Sequence, residues 1–240
     1  MPRLTLSQRL QEVAEASCRV FTEKGYRRTL VSDVAEALGL SQGAVYGYVE
    51  SKEALFHLAM VFAIGADRIA ELPIPVPTPA PAETLGLLQG WAPSTTFPAL
   101  AGALKRRRPS DVGAELTDII SELYRLLEDN QRLLSLIERS AQDLPDLAAL
   151  YFHHWRRGQV SDLAGYLGRR IEAGYLRPVP DVPIAARFMV ETIAWFAWHR
   201  HRDPDSAMIG DVQARASVTA LLLAAFVPES TPPNRSGTTG

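Results

Sequence analysis

The side chains best suited to chemistry lie between Thr29 and Lys52, and they offer donors for oxyanions rather than catalytic groups. Tyr46 and Tyr48 carry hydroxyls and Lys52 an ammonium. Such groups suit phosphate oxygens, the contacts that fix a protein's register on a duplex. Gly43 and Gly47 stand in the same short stretch. Each costs a helix interior about 1 kcal/mol relative to alanine. A helix that only packs gains nothing from them, whereas one whose backbone is pressed against nucleic acid does.

Other candidate groups lead nowhere comparable. His153-His154 and His199-x-His201 have metal-ligating side chains, but neighbours on a helix point in different directions, unlike an i, i+4 pair. No Ser/His/Asp set, phosphate-cradling glycine loop or carboxylate pair stands at meaningful spacing. The chain is read as no enzyme, with no cofactor and no metal. The single cysteine, Cys18, excludes an intrachain disulfide and fits a reducing compartment. Lys105-Arg106-Arg107-Arg108 reads as a solvated helix end, where cations suit the dipole.

The elements that must position the Thr29–Lys52 groups are short helices. Leu10, Val13, Ala14, Ser17, Val20 and Phe21 make one face of a first helix, from Ser7 to about Gly25, after a loose arm over 1–6. Thr29 is a plausible N-cap of a second helix bearing Val31, Val34, Ala35 and Leu38. Gly39 stands where a C′ residue needs φ > 0, and Ser41 caps a further helix from Gln42 to about Val49. Helix, glycine turn, helix is the helix-turn-helix pattern, whose second helix enters a major groove.

The run Thr29-x-x-x-Asp33-Val34-Ala35-x-x-Leu38-Gly39-Leu40-Ser41-x-Gly43-x-Val45-Tyr46-x-Tyr48-x-x-Ser51-Lys52-x-x-Leu55 resembles the DNA-binding head of the TetR family, and Phe21 and Gly25 match the end of that family's first helix. The resemblance is densest from Phe21 to Leu55. Gln42, Ala44, Gly47 and Val49 depart from it, standing where Lys, Thr, His and Phe are common, which leaves the base sequence read open. The resemblance implies an all-α fold: a three-helix head and a larger helical ligand-binding and dimerisation body, about ten helices in all. It implies a homodimer on double-stranded operator DNA, with Thr29, Ser41, Gln42, Gly43, Ala44, Tyr46, Gly47, Tyr48 and Lys52 at the DNA. Gln42 has the bidentate amide that reads adenine, Ala44 a methyl for thymine, and Thr29 a helix start at phosphate.

Beyond the head, a fourth helix runs from Lys52 to about Leu72, then a proline-rich linker, 73–81, too rich in proline for helix. Body helices are expected near 82–90, 97–108, 111–129, 131–141, 145–173, 184–201 and 206–226. The domains are read as 1–60, DNA-binding, and 61–227, effector-binding and dimerising, with 228–240 a disordered tail. The last two helices are apolar on most faces and need burial on more than one side. By resemblance they pair across a two-fold axis through Ile184, Phe188, Thr192, Trp195, Val218, Leu222 and Phe226; a wholly buried monomer core is the other possibility. The resemblance also implies an effector cavity. Its candidate walls are Trp91, Phe97, Leu104, Leu123, Tyr124, Leu127, Phe152, Trp155, Met189, Ile193 and Phe196, suited to an apolar or aromatic small molecule.

Bulk properties agree without adding much. The 240 residues are 47% hydrophobic and 22% charged, with net charge −2. Up to Arg28, six basic residues face three acidic ones, so the electrostatic part of binding should be modest. No signal-peptide core or apolar run of membrane length is seen, so a cytoplasmic location and no membrane partner are expected. The reading is a ligand-responsive transcriptional repressor; an activator with the same head, or a ligand-binding module with degenerate DNA binding, stays open.

Overall fold

The computed structural model describes residues 5–80, 82–91, 97–206 and 208–229. All secondary structure among them is helical apart from one isolated parallel bridge, Val49 to Val76. None of these helices is long and apolar enough to cross a membrane. The chain divides into two compact units, Met1–Thr96 with Asp129–Arg157 and Phe97–Glu128 with Gly158–Gly240.

The first unit is built around α4, Lys52–Ile64, whose residues 54–62 are all buried. A helix buried on every side needs neighbours on every side, and α1, α5 and α8 supply them. α1, Leu6–Lys24, begins with a capping box in which the Thr5 hydroxyl accepts from the Gln8 amide and the Gln8 side chain from the Thr5 amide. Its apolar face, including Leu10, Val13, Ala14 and Phe21, is buried. α2 is Val31–Leu38 and α3 is Gln42–Tyr46. α5 (Glu83–Trp91), α8 (Gln131–Ala141) and α9 (Pro145–Ala148) follow, and a π-helical stretch, Ala149–Arg156, extends α9.

Two expectations for this unit change. The fourth helix stops at Ile64 instead of running to Leu72, because Gly65 takes an extended conformation; a 3₁₀ segment, Ala66–Glu71, covers the rest. The 73–80 stretch is non-helical, as its prolines dictate, but it bends at Ile74 and Pro75 and is held down. The Val76 side chain is buried, and the Val76 amide donates to the Tyr48 carbonyl at 2.8 Å. The Glu50 amide donates to the Val76 carbonyl at 3.0 Å. Ile74 and Val76 alternate with the prolines, so one face of the strap can bury apolar surface.

The second unit contains α6 (Pro98–Lys105), α7 (Val112–Asp129), α10 (Arg157–Glu172), α11 (Val182–Ala197) and α12 (Asp211–Phe226). Asp181 caps α11, its carboxylate accepting from the Ile184 amide at 2.8 Å. The helix ends at Ala197, and its expected last turn is 3₁₀. α12 starts at Asp211 rather than near 206 and packs on α11. The expected tail lies outside the described residues from 230 onward.

Candidate nucleic-acid interface

The turn between α2 and α3 is fixed by its own hydrogen bonds. Gly39 sits at φ 63°, ψ 31°, the left-handed region that glycine enters at no steric cost. Its amide donates to the Glu36 carbonyl at 3.0 Å and the Leu40 amide to the Ala35 carbonyl at 2.9 Å, a Schellman ending that satisfies α2's last carbonyls. Ser41 then caps α3 as expected, its hydroxyl accepting from the Ala44 amide at 3.2 Å. Val34, Ala35 and Val45 are buried beneath the turn.

At the start of α2 the cap is Leu30, one residue later than expected. The Leu30 amide donates to the Asp33 carboxylate at 2.8 Å, and Lys24 pairs with Asp33 at 2.9 Å. The Leu30 N–H first, then Lys24, hold the Asp33 carboxyl below the usual carboxylate range. Thr29 is wholly buried, and its hydroxyl donates to the Gly25 carbonyl at 2.7 Å. That hydroxyl is therefore spent inside the head and offers nothing to a phosphate in this structure.

The remaining candidates fall into two groups. Ser41, Gln42, Gly43, Tyr46 and Gly47 are exposed on α3 and its end, with Ala44 and Tyr48 half-buried beside them. α3 closes at Tyr46, because the Gly47 and Tyr48 amides turn to the carbonyls of Ala44 and Val45, three residues back, and Val49 joins the strap. An added Cβ at Gly43 would meet nothing within 4 Å. The fold therefore has no use for glycine there, whereas a surface laid against the helix backbone would. Lys52 is engaged internally: its Nζ donates to the Arg27 carbonyl at 3.1 Å and lies 4.8 Å from the centre of the Tyr26 ring. An ammonium has three donors, so two remain. Arg27 and Arg28, not singled out as contacts from sequence, are exposed beside it.

The first unit also holds a cavity of about 190 Å³. Its walls are Tyr26, α4 (Glu53, Phe56, Met60), the strap at Pro79 and Ala80, α5 (Thr84, Leu85, Leu88), and 144–147 at the start of α9. The Tyr26 hydroxyl donates to the Glu53 carboxylate at 3.2 Å. Burial, with Glu53 adding to it, pushes the Tyr26 phenol up to about 12, so it stays a neutral donor. None of the expected effector residues lines this cavity. Trp91, Phe152 and Trp155 belong to the first unit, where the two indoles lie 5.5 Å apart. Phe97, Leu104, Leu123, Tyr124, Leu127, Met189, Ile193 and Phe196 belong to the second, where Leu123, Tyr124, Leu127, Met189 and Ile193 are buried core and the Tyr124 hydroxyl donates to the Phe196 carbonyl at 3.1 Å. Sequence reasoning missed the cavity because its walls come from four separate segments; the Phe56–Met60 spacing on α4 was its one local sign.

The expected pairing residues separate by helix. On α11, Ile184, Phe188 and Trp195 are exposed apolar side chains, and Thr192 is half-buried. On α12, Val218, Leu222 and Phe226 are buried within the chain, while Val212 and Leu221 are exposed. Periodicity on a helix apolar all round does not say which face is turned inward.

Comparison with known proteins agrees with this geometry. The sequence model of the bacterial regulatory proteins of the tetR family matches residues 13–59. The HTH-type transcriptional regulator YerO of Bacillus subtilis is 33% identical over 60 residues, which make up 25% of this chain and only 21% of that protein. The HTH-type transcriptional repressor KstR2 of Mycobacterium tuberculosis is 26% identical over 210 residues, 84% of this chain and 86% of that one. Two solved structures share the fold: KstR2 of Mycobacterium tuberculosis (TM-score 0.56, 19% identity, 94% of this chain and 98% of that one) and the probable transcriptional regulatory protein RHA5900 (TM-score 0.55, 20% identity, 89% and 96%). With a helix-turn-helix closed by Gly39 and an exposed α3, residues 13–59 match the head of the bacterial regulatory proteins of the tetR family, and the chain as a whole shares the fold of the two solved regulators.

Proposed function

We propose that the protein is a cytoplasmic homodimeric repressor that binds a palindromic operator and releases it when a small apolar or aromatic effector binds. The observation that carries the DNA contact is exposed Gly43, where an added side chain would meet nothing in the fold. Gln42 is the base reader of this proposal and Tyr46, Tyr48 and Lys52 the phosphate contacts, with 1–60 as the DNA-binding part and 61–227 the effector-binding and dimerising part. Two copies of α3 would enter major grooves about 34 Å apart. Repression rather than activation is favoured by the likeness to the repressor KstR2.

The homodimer is supported by the exposed Ile184, Phe188 and Trp195 on α11 and Val212 and Leu221 on α12. Ile184 and Phe188, one helical turn apart, put exposed apolar surface on one side of α11, the kind of surface that marks an association site. An effector that releases DNA must bind the DNA-incompetent state more tightly, or it shifts nothing.

The test is a mobility-shift assay on DNA flanking the coding region, at two salt concentrations, with sedimentation of the free protein alongside. A specific shift that weakens with salt, and a dimer that Phe188→Asp converts to monomer, are expected. An intact dimer without a specific shift would overturn the operator; a monomer at all concentrations would overturn the pairing.

A further inference from the structure

The cavity in the first unit has a size, a charge and a mechanical connection that together describe a ligand site. We infer that it takes a single-ring aromatic or similarly compact apolar amine, and that its occupant acts on α3 through the 73–80 strap. The inference deepens the effector response proposed above and rests on it for its consequence at DNA, but not for binding.

Size comes first. At about 190 Å³ the cavity falls below the roughly 300–1,000 Å³ of sites for drug-sized ligands. It is somewhat larger than the roughly 150 Å³ apolar cavity that accommodates benzene. One ring with a short substituent fits; a fused-ring or long-chain molecule does not.

Charge decides the substituent. Phe56, Met60, Leu85 and Leu88 make the wall apolar. The charged lining residues are Glu53 and Asp146, both exposed, and no lining residue is basic. The neighbouring Lys52 is turned to the Arg27 carbonyl. An apolar pocket with two carboxylates at its exposed side favours a cationic head group and disfavours an anionic one.

The connection is covalent and short. Pro79 and Ala80 form part of the wall, and the adjacent Thr78 is anchored to the end of the helix-turn-helix. Its amide donates to the Glu50 carboxylate at 3.0 Å and its hydroxyl to the Ser51 hydroxyl at 2.8 Å. Two residues earlier Val76 exchanges backbone hydrogen bonds with Tyr48 and Glu50. A ligand that displaces Pro79 and Ala80 therefore pulls on the backbone that fixes Tyr48.

The test uses DNA-free full-length protein and three probes: benzylamine, benzyl alcohol and benzoate, titrated by calorimetry. Benzylamine should bind best and benzoate worst, about tenfold apart, because two exposed carboxylates attract one and repel the other. Glu53→Gln should bring benzylamine close to benzyl alcohol, and Leu85→Trp, with its fold checked by circular dichroism, should abolish binding of all three. Hydrogen exchange at the Glu50 and Val76 amides should change when benzylamine is bound. No binding of benzylamine, or equal binding by Glu53→Gln and Leu85→Trp, would overturn the site. Benzoate binding as well as benzylamine would overturn its charge preference, and unchanged exchange at Glu50 and Val76 would overturn the route to α3. Operator binding without benzylamine binding removes only this inference; benzylamine binding without operator binding removes only the repressor.

Discussion

The Asp143 carboxylate accepts a hydrogen bond from the Arg27 amide at 2.8 Å, tying the end of α8 to the loop after α1. Arg139, on the last turn of α8, donates to the Lys24 carbonyl at 3.2 Å and so covers an otherwise unpaired helix end. Gly25, between them, has φ 84°, and a Cβ there would lie 3.0 Å from the Asp143 carboxylate. Asp143→Ala should cost about 1 kcal/mol of stability and speed exchange of the Arg27 amide. Gly25→Ala should cost more, about 1–2 kcal/mol from the left-handed backbone alone, before the contact with Asp143. Urea denaturation and amide exchange check both, and an Arg27 amide that exchanges unchanged in Asp143→Ala would contradict the tie.

Gly43 offers a test that separates folding from DNA binding. Nothing in the fold opposes a methyl at this helical position. Gly43→Ala should therefore raise stability by about 0.4–1 kcal/mol, by restricting the unfolded chain. The same variant should bind operator more weakly, because the methyl stands on the exposed side of α3. Thermal denaturation and mobility shift are measured on one preparation. A variant that is stabilised and binds DNA as tightly as the parent would remove the close-approach argument.

The second unit contains a buried ion pair, Arg170 with Glu115, at 2.8 Å and with both side chains 4% exposed. Arg170 also donates to the carbonyls of Ala103 and Arg106, so it holds the end of α6 to α7. Burial opposes ionisation of Glu115, but the hydrogen bonds and charge of Arg170, helped by Arg106, outweigh it and keep the carboxyl below its usual value. Arg170→Met should destabilise by about 3–5 kcal/mol, because it leaves a buried carboxylate unpaired. Adding Glu115→Leu should recover part of that loss. A double variant as unstable as the sum of the two single ones would mean the residues act independently.

The head was legible in sequence because its geometry is encoded locally. Gly39, Ser41 and the Val34–Val45 spacing each fix a feature within a few residues, and the structure places all of them as expected. Thr29 was misjudged as the cap because its type suits a cap, while its hydroxyl is taken by Gly25 four residues back. The tie between Asp143 and Arg27 joins positions 116 residues apart and leaves no periodic trace. The cavity walls are dispersed in the same way. α12 shows a different limit: with apolar side chains all round, Val218 and Leu221 look alike in sequence, yet one is 1% exposed and the other 69%.

His57 gives the head unit a pH dependence with a definite sign. Its ring is buried on α4, and Nδ1 lies 2.9 Å from the Thr84 hydroxyl. Burial pushes its pKa below the ordinary histidine value, with Glu83 opposing. Between the lowered folded value and the unfolded value near 6.5, the unfolded chain binds a proton that the folded chain refuses. The neutral ring's contribution to stability is therefore fully present above about pH 6.5 and declines as pH falls below it. Since Thr84 also lines the cavity, a charged His57 would disturb the α4–α5 contact there as well. Urea midpoints at pH 7.5 and 5.5 should differ for the parent, and His57→Gln, which keeps a hydrogen-bonding partner for Thr84 but cannot titrate, should flatten that difference. If the variant keeps the full drop, the dependence comes from another group.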